Sequence, residues 1–195
     1  VNAQRVYEQD NYRIKPLIAA IVQSDEYRLA SPNDLFPAAR TPKMLAPHQI
    51  ASMIEDLTGY SWNVNNYSLM DYDYRAIAGG VDGYQTFSPQ LFPSLTSVLT
   101  LKRYTQASVS YVVEQQLNTS SGLLSLVTED TSPTDDAFIQ QLNHLRLQLH
   151  GKAADELWRS QIIMLWQNAY QLGDSRLAWT TVLSALFQDI DFVSY

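Results

Sequence analysis

The residues best suited to bind something lie in one segment, residues 60–92, which is rich in Tyr, Asn, Asp and Gly. Tyr and Trp combine a large apolar surface with a polar atom, so a cluster of them suits a sugar platform or a protein interface. Alternatively, the rings pin a long loop onto neighbouring helices. Seven aromatic residues fall within the 28 residues 60–87: Tyr60, Trp62, Tyr67, Tyr72, Tyr74, Tyr84 and Phe87.

Seven residues of this segment form our candidate site for a ligand or a protein partner. They are Trp62, Tyr72, Tyr74, Arg75, Gly79, Gly80 and Asp82. The glycine-rich run 79–83 lacks the spacing, the preceding strand and the lysine of a phosphate-binding loop. We therefore expect a tight turn at which the backbone must approach something closely.

Three carboxylates of the segment, Asp71, Asp73 and Asp82, are candidate calcium ligands, because calcium is bound by carboxylate and carbonyl oxygens. The ladder of oxygen ligands and the terminal glutamate of an EF-hand are missing. The alternative for these acids is solvation at the surface, or pairing with Arg75. We expect no cofactor within this chain.

No catalytic centre is evident elsewhere in the sequence. His144 and His150 are six residues apart and do not share a helix face, and His48 is far from both. The chain has neither a Gly-x-Ser-x-Gly motif nor a cysteine. A pair of acids could hydrolyse a glycoside, but nothing selects a particular pair. A noncatalytic role is the better prediction.

The composition narrows the classes of partner. The chain has 195 residues and a net charge of −7, which disfavours nucleic acid and anionic membranes. Its longest apolar stretches, such as Leu17–Val22 and Val182–Phe187, are far shorter than the ~20 residues of a membrane-spanning helix. The absence of cysteine excludes disulfides, thiolate metal sites and covalently attached c-type haem.

The elements that must position the candidate site are predicted to be helices. Apolar residues recur at helical spacing in most of the chain, apart from the proline-rich stretch 29–46 and the loop 60–92. We predict a mainly α, irregular bundle of about six helices in a single domain, 1–195, with antiparallel helices over 132–188. The residues expected to face inward in two of the helices are Ile14, Leu17, Ile18, Ile21 and Val22 in the first, and Leu95, Val98, Leu99, Val109, Val112 and Val113 in the long helix 93–117.

Residues at the helix ends support this prediction. Gly59 is placed to end the helix that begins at Pro47, and Asp174 or Ser175 to cap the last long helix. The segment 17–27 also matches 182–192 without gaps, each an apolar helix followed by Gln, an acidic turn and an aromatic residue. Either this is chance similarity, or in both cases the aromatic folds back on its helix.

Three stretches of the chain, Arg40–Ile50, Ile54–Trp62 and Tyr74–Gly83, resemble a helical region of large exported bacterial proteins of unknown function that carry c-type cytochrome segments. In that region a leucine-rich Pro-x-Gln helix leads to a Thr-Gly-x-x-Trp turn and then to a Tyr-Arg…Gly-Gly-x-Asp loop. The flanking stretches Gln23–Arg28 and Phe187–Tyr195 are also similar.

This resemblance implies a haem-free C-terminal part of a larger exported protein, located in the periplasm or secreted. Unlike the family's fuller form, the chain lacks Cys-x-x-Cys-His, so haem would belong to a neighbouring segment. The implied role is structural support or docking of a protein partner or a neighbouring domain, with no catalytic residue to carry over. The alternative is a carbohydrate or small-ligand binding module that uses the aromatic loop, with calcium as a further component.

Overall fold

The computed structural model describes residues 3–10, 12–23, 43–71, 74–90, 93–119 and 121–194. The mainly α fold is confirmed. The Cα positions separate into two compact units, Val1–Thr41 and Pro42–Tyr195. Each unit is described by itself below, and the single domain over 1–195 stays a prediction. Within the described ranges, no helix has both the length and the apolar character needed to cross a membrane.

The first unit contains helices α1, Ala3–Gln9, and α2, Ile14–Gln23. Tyr12 connects them with a positive φ of 60°, and its ring meets that of Tyr7 edge-on at 5.4 Å. The predicted helix is confirmed, but its predicted burial is wrong. Ile14, Ile18, Ile21 and Val22 are exposed, Leu17 is half-buried, and Ala20 is the residue of α2 that is buried. One short helix, α1, cannot cover the whole apolar stripe of α2.

The second unit is mainly helical, and its last four helices, from Asp136 onward, are joined by short turns. Its helices are α3 (Pro47–Thr58), α4 (Leu95–Gln116), α5 (Asp136–His150), α6 (Glu156–Leu172), α7 (Ser175–Phe187) and α8 (Ile190–Val193), with a 3-10 turn at Gly122–Leu124 and strands β1 (Asn63–Val64) and β2 (Tyr67–Ser68). Gly59 ends α3 with a φ of 75°, as predicted. Asp174 caps α7, as predicted, by accepting a hydrogen bond from the backbone N–H of Leu177 at 2.8 Å.

The core of this unit is centred on aromatic residues of the three C-terminal helices. Phe138 of α5 meets Trp166 of α6 edge-on at 5.3 Å and lies 5.0 Å from Trp179 of α7. Each of these three side chains is buried. Helix α5 begins at Asp136, slightly later than predicted, because Ser132 and Asp135 form a turn of their own.

Helix α4 lies where it was predicted, but the burial of its first half is not as predicted. Leu95, Val98 and Leu99 are exposed, whereas Val109, Val112 and Val113 are buried as expected. The buried face of the first half carries mostly hydroxyl side chains. These residues are Ser97, Thr100, Leu101, Tyr104, Thr105 and Ser108.

The end of the second unit folds back on itself. Phe192 of α8 meets Phe187 of α7 at 4.9 Å, so the predicted return of the aromatic after the acidic turn is confirmed here. Its counterpart Tyr27 lies outside the described residues, as does most of the proline-rich stretch. Leu45 donates a backbone hydrogen bond to the Val193 carbonyl at 2.9 Å and thereby ties α8 to the residues preceding α3.

Candidate functional site

A short hairpin opens the aromatic segment. Strands β1 and β2 pair antiparallel, with Asn63 opposite Ser68. Asn65 and Asn66 form the two-residue turn with φ values of 50° and 66°. Asn is the non-glycine residue that tolerates this left-handed conformation best, and two positive φ values are what such a hairpin turn requires. This hairpin was not predicted from the sequence, although the Asn-Asn pair was its signal.

The hairpin positions Trp62, whose ring is used within the fold. It stacks on Tyr74 at 5.0 Å and on Tyr104 of α4 at 5.4 Å. Tyr60 lies 6.0 Å from Tyr104 and 5.6 Å from Tyr111. These contacts fasten the start of the segment to α4, so they favour the packing interpretation for Trp62 and Tyr74.

A small polar cavity lies beside this stack. It has a volume of about 90 Å³, and the residues lining it include His48, Glu55, Asp71, Trp62 and Tyr104. Burial raises the pKa of Tyr104, and the nearby charges add to the effect. The phenol therefore stays protonated, and its hydroxyl donates to the Ala51 carbonyl at 3.3 Å. The cavity is well below the ≈ 300–1,000 Å³ typical of ligand pockets.

The double glycine fits a site where two parts of the chain nearly touch. Both Gly79 and Gly80 are buried. A Cβ built on Gly80 would lie 3.0 Å from the Arg75 carbonyl oxygen and 3.2 Å from Cδ of Pro47, at the start of α3. The predicted close approach of the backbone is confirmed. Arg75 is half-buried, and its Nε has no hydrogen-bond partner in the part of the chain that the structure describes.

Asp82 organises the loop that follows. Its Oδ1 accepts hydrogen bonds from the backbone N–H groups of Tyr84, Gln85 and Thr86 at 2.8–2.9 Å. These three bonds hold the pKa of the Asp82 carboxyl below its usual range, and the bond from Thr86 has the largest effect. In return, the Asp82 N–H donates to the Thr86 carbonyl at 3.2 Å. The carboxylate thus holds the loop in one conformation.

Among the described residues of the segment, the most exposed aromatic rings lie in this same loop. Tyr84 is 83% exposed and Phe87 is 75% exposed. The loop is closed at its base, where Gln90 donates to the Gly79 carbonyl at 2.9 Å. Neither exposed ring was among the residues selected from the sequence as the candidate site, because exposure cannot be read from residue type.

The remaining candidates are less closely grouped. Tyr72 and Asp73 lie outside the described residues. Asp71 is exposed at the rim of the small cavity, apart from the turn that Asp82 closes. Across the described ranges, no group of three or more His, Asp or Glu side chains is placed to hold a metal ion. Calcium binding stays a prediction.

His150 is a titratable residue whose environment the sequence did not indicate. Its Nδ1 faces Nη1 of Arg146 at 2.7 Å, and its Nε2 faces the Leu186 carbonyl at 3.1 Å. Because a guanidinium only donates and a carbonyl only accepts, the ring is neutral and carries its proton on Nε2. Burial lowers the pKa of His150, and the Arg146 charge adds to the effect.

Asp189 and Asp191, where α7 leads into α8, lie close to the side chains of Arg146 and His150. The pKa of Asp191 is lowered by the hydrogen bond from Lys152, whose Nζ lies 2.7 Å from its Oδ2. Arg146 also approaches Asp191 at 3.4 Å and Asp189 at 3.9 Å. The network therefore joins the ends of α5 and α7, which is a structural role.

Comparison with known proteins adds no relative: no protein-family model, no curated protein and no solved structure matches the chain.

Proposed function

We propose that this chain is a noncatalytic interaction domain of an exported, cytochrome-linked protein, and that it docks a partner through the loop 79–90. The partner is a protein or a neighbouring domain of the same polypeptide, and any haem belongs to that neighbour. The observation that carries the docking role is the combination of a loop closed by Asp82 with two exposed rings, Tyr84 and Phe87.

This combination fits the physics of protein interfaces. Aromatic side chains supply much of the binding free energy at interfaces, and exposed ones are available for burial by a partner. A loop that is already ordered loses less conformational entropy when it binds. The hydrogen bond from Gln90 to Gly79 closes the loop where it begins and ends, and the Asp82 carboxylate holds the backbone at Tyr84. The backbone that carries the two rings is therefore held on both sides before docking.

The alternative function is a carbohydrate or small-ligand module that uses the aromatic segment. Trp62 and Tyr74 are stacked within the fold, and the adjacent cavity of about 90 Å³ is small for a sugar. These observations favour docking over ligand binding in this segment.

The first test is to read the coding sequence upstream of Val1. The proposal expects a signal peptide and a Cys-x-x-Cys-His motif there, and the absence of both would remove its cytochrome-linked and exported parts. The docking role is tested separately, by titrating the neighbouring segment into the isotopically labelled domain and following backbone amide shifts.

The double variant Tyr84→Ala/Phe87→Ala should weaken this docking by roughly 30-fold or more, since loss of one interface hot spot removes about 2 kcal/mol. Asp82→Ala keeps both rings but removes the hydrogen bonds that hold the loop, so we expect a loss of docking affinity smaller than that of the double variant. Tyr170→Ala removes an exposed ring on α6 and is the matched control. Equal affinity of the double variant and the wild type would refute docking through this loop.

A further inference from the structure

A second groove lies in the C-terminal helices, away from the aromatic segment. It has a volume of about 580 Å³, within the range of natural ligand sites. One wall is the turn 129–133, and the other is the face of α6 that carries Trp166, Gln167, Tyr170 and Gln171. Trp166 and Tyr170 are four residues apart, as are Gln167 and Gln171, and positions four apart lie one above the other on a helix. The face therefore carries a row of two rings beside a row of two amides.

The ring row forms a fixed platform. The Trp166 indole stacks on the Tyr170 ring at 4.9 Å with an angle of 12° between their planes. Trp166 is buried and is held from behind by Phe138 and Trp179. Tyr170 remains 48% exposed, so a flat, rigid ring lies at the groove.

The amide row offers donors and acceptors together. Gln167 and Gln171 are exposed, and within the described part of the chain neither side chain is engaged in a hydrogen bond. Each primary amide can donate two hydrogen bonds and accept through its oxygen. Thr131 and Ser132 add hydroxyls from the facing turn.

The facing turn, residues 129–133, is held by hydrogen bonds, and the charge of its Glu129 is neutralised by Arg176. Glu129 accepts a hydrogen bond from Nε of Arg176 at 2.7 Å, and its backbone N–H donates to Asn118 at 2.8 Å. The Thr131 hydroxyl accepts a hydrogen bond from the Thr128 N–H at 2.8 Å. Among the described residues, Asp130 is therefore the one carboxylate of the groove without an ion pair. Within the described ranges, the groove therefore carries one uncompensated negative charge, that of Asp130, among mostly neutral side chains.

We propose that this groove binds a neutral, polyhydroxylated ligand, specifically a short oligosaccharide whose ring lies against Tyr170 and whose hydroxyls bond to Gln167, Gln171 and Asp130. A rigid aromatic face covers the apolar face of a sugar ring, and mixed amide, hydroxyl and carboxylate groups match its alternating donors and acceptors. The site is independent of the loop 79–90.

The test is a titration of the labelled protein with cellotriose, maltotriose and triacetylchitotriose, followed by amide and indole N–H shifts. We expect saturable shifts at Gln167, Gln171 and the Trp166 indole with at least one sugar. Spermidine serves as the cationic probe. Saturable binding of spermidine alone, or no saturable shift with any of the three sugars, overturns the proposal.

Variants locate the site. Tyr170→Ala should weaken sugar binding about tenfold, while Tyr170→Phe, which keeps the ring, should change it little. Gln167→Ala and Gln171→Ala should each weaken it as well. Tyr67→Ala removes an exposed ring from strand β2 and should leave sugar affinity unchanged. Unaltered sugar affinity in Tyr170→Ala would place any binding elsewhere and refute this site.

Discussion

The burial of His150, together with its contact with Arg146, predicts a pH-dependent contribution to stability. In the folded protein the pKa of His150 is lowered, first by burial and then by the Arg146 guanidinium, with the Leu186 hydrogen bond and the two aspartates acting in the opposite direction. Protonation would place an N–H on Nδ1 directly against the N–H of Arg146, 2.7 Å away, where two donors repel.

The sign follows from proton linkage. The unfolded chain binds a proton at His150 near its ordinary pKa of 6.5, whereas the folded protein does so only at lower pH. The stabilisation is therefore complete above pH 6.5 and is lost as the pH falls from 6.5 towards the folded pKa. One proton changes the free energy of unfolding by at most about 1.4 kcal/mol per pH unit in that window. Below the folded pKa this loss levels off.

Urea unfolding, monitored by tryptophan fluorescence between pH 7.5 and 4.5, measures this effect. His150→Gln removes the titrating group and keeps an amide that can donate and accept. We expect the free energy of unfolding of the wild type to fall more steeply than that of His150→Gln below pH 6.5. His48→Gln, at an exposed histidine, should follow the wild type. Parallel profiles for the wild type and His150→Gln would refute the reasoning.

Two further predictions concern packing around the segment and the core. Gly80→Ala should lower the free energy of unfolding by about 1–3 kcal/mol. The new methyl group would press on the Arg75 carbonyl, which belongs to the backbone and cannot rotate away. Unchanged stability in urea would contradict this and would mean that residues 74–80 can shift without strain. Gln141→Leu should destabilise the fold by about 1–3 kcal/mol, because the buried amide bonds both the Leu126 N–H and the Leu123 carbonyl. Hydrogen exchange at the Leu126 amide should accelerate in this variant, and unchanged protection would contradict the assigned bond.

Local chemistry made one feature of the candidate segment predictable. Residues 79–80 were expected to approach something closely, and Gly80 lies against Pro47 and Arg75. The sequence does not distinguish the half-buried Trp62 from the exposed Tyr84, because both are aromatic residues in a polar segment. The stacking of Trp62 on Tyr104 of α4 shows that Trp62 packs within the fold, whereas Tyr84 remains exposed. This difference is visible only in the folded chain.

The sequence by itself determined the mainly helical fold, the position of the long helices and several of their ends. Helical periodicity and the residues that stop or cap a helix, such as Gly59 and Asp174, act within one or two turns. These features depend on neighbours in the chain and are therefore visible in it.

The tertiary structure alone decided which face is buried in α2 and in the first half of α4. In α4 the hydroxyls of Thr100 and Thr105 donate to carbonyls four residues earlier, at 2.8 and 2.7 Å, which satisfies them internally and lets a polar-looking face enter the core. Leu95 and Leu99 consequently remain outside. The groove at Tyr170 also exists only in the folded chain, because one of its walls is a distant turn, which no local pattern on α6 could reveal.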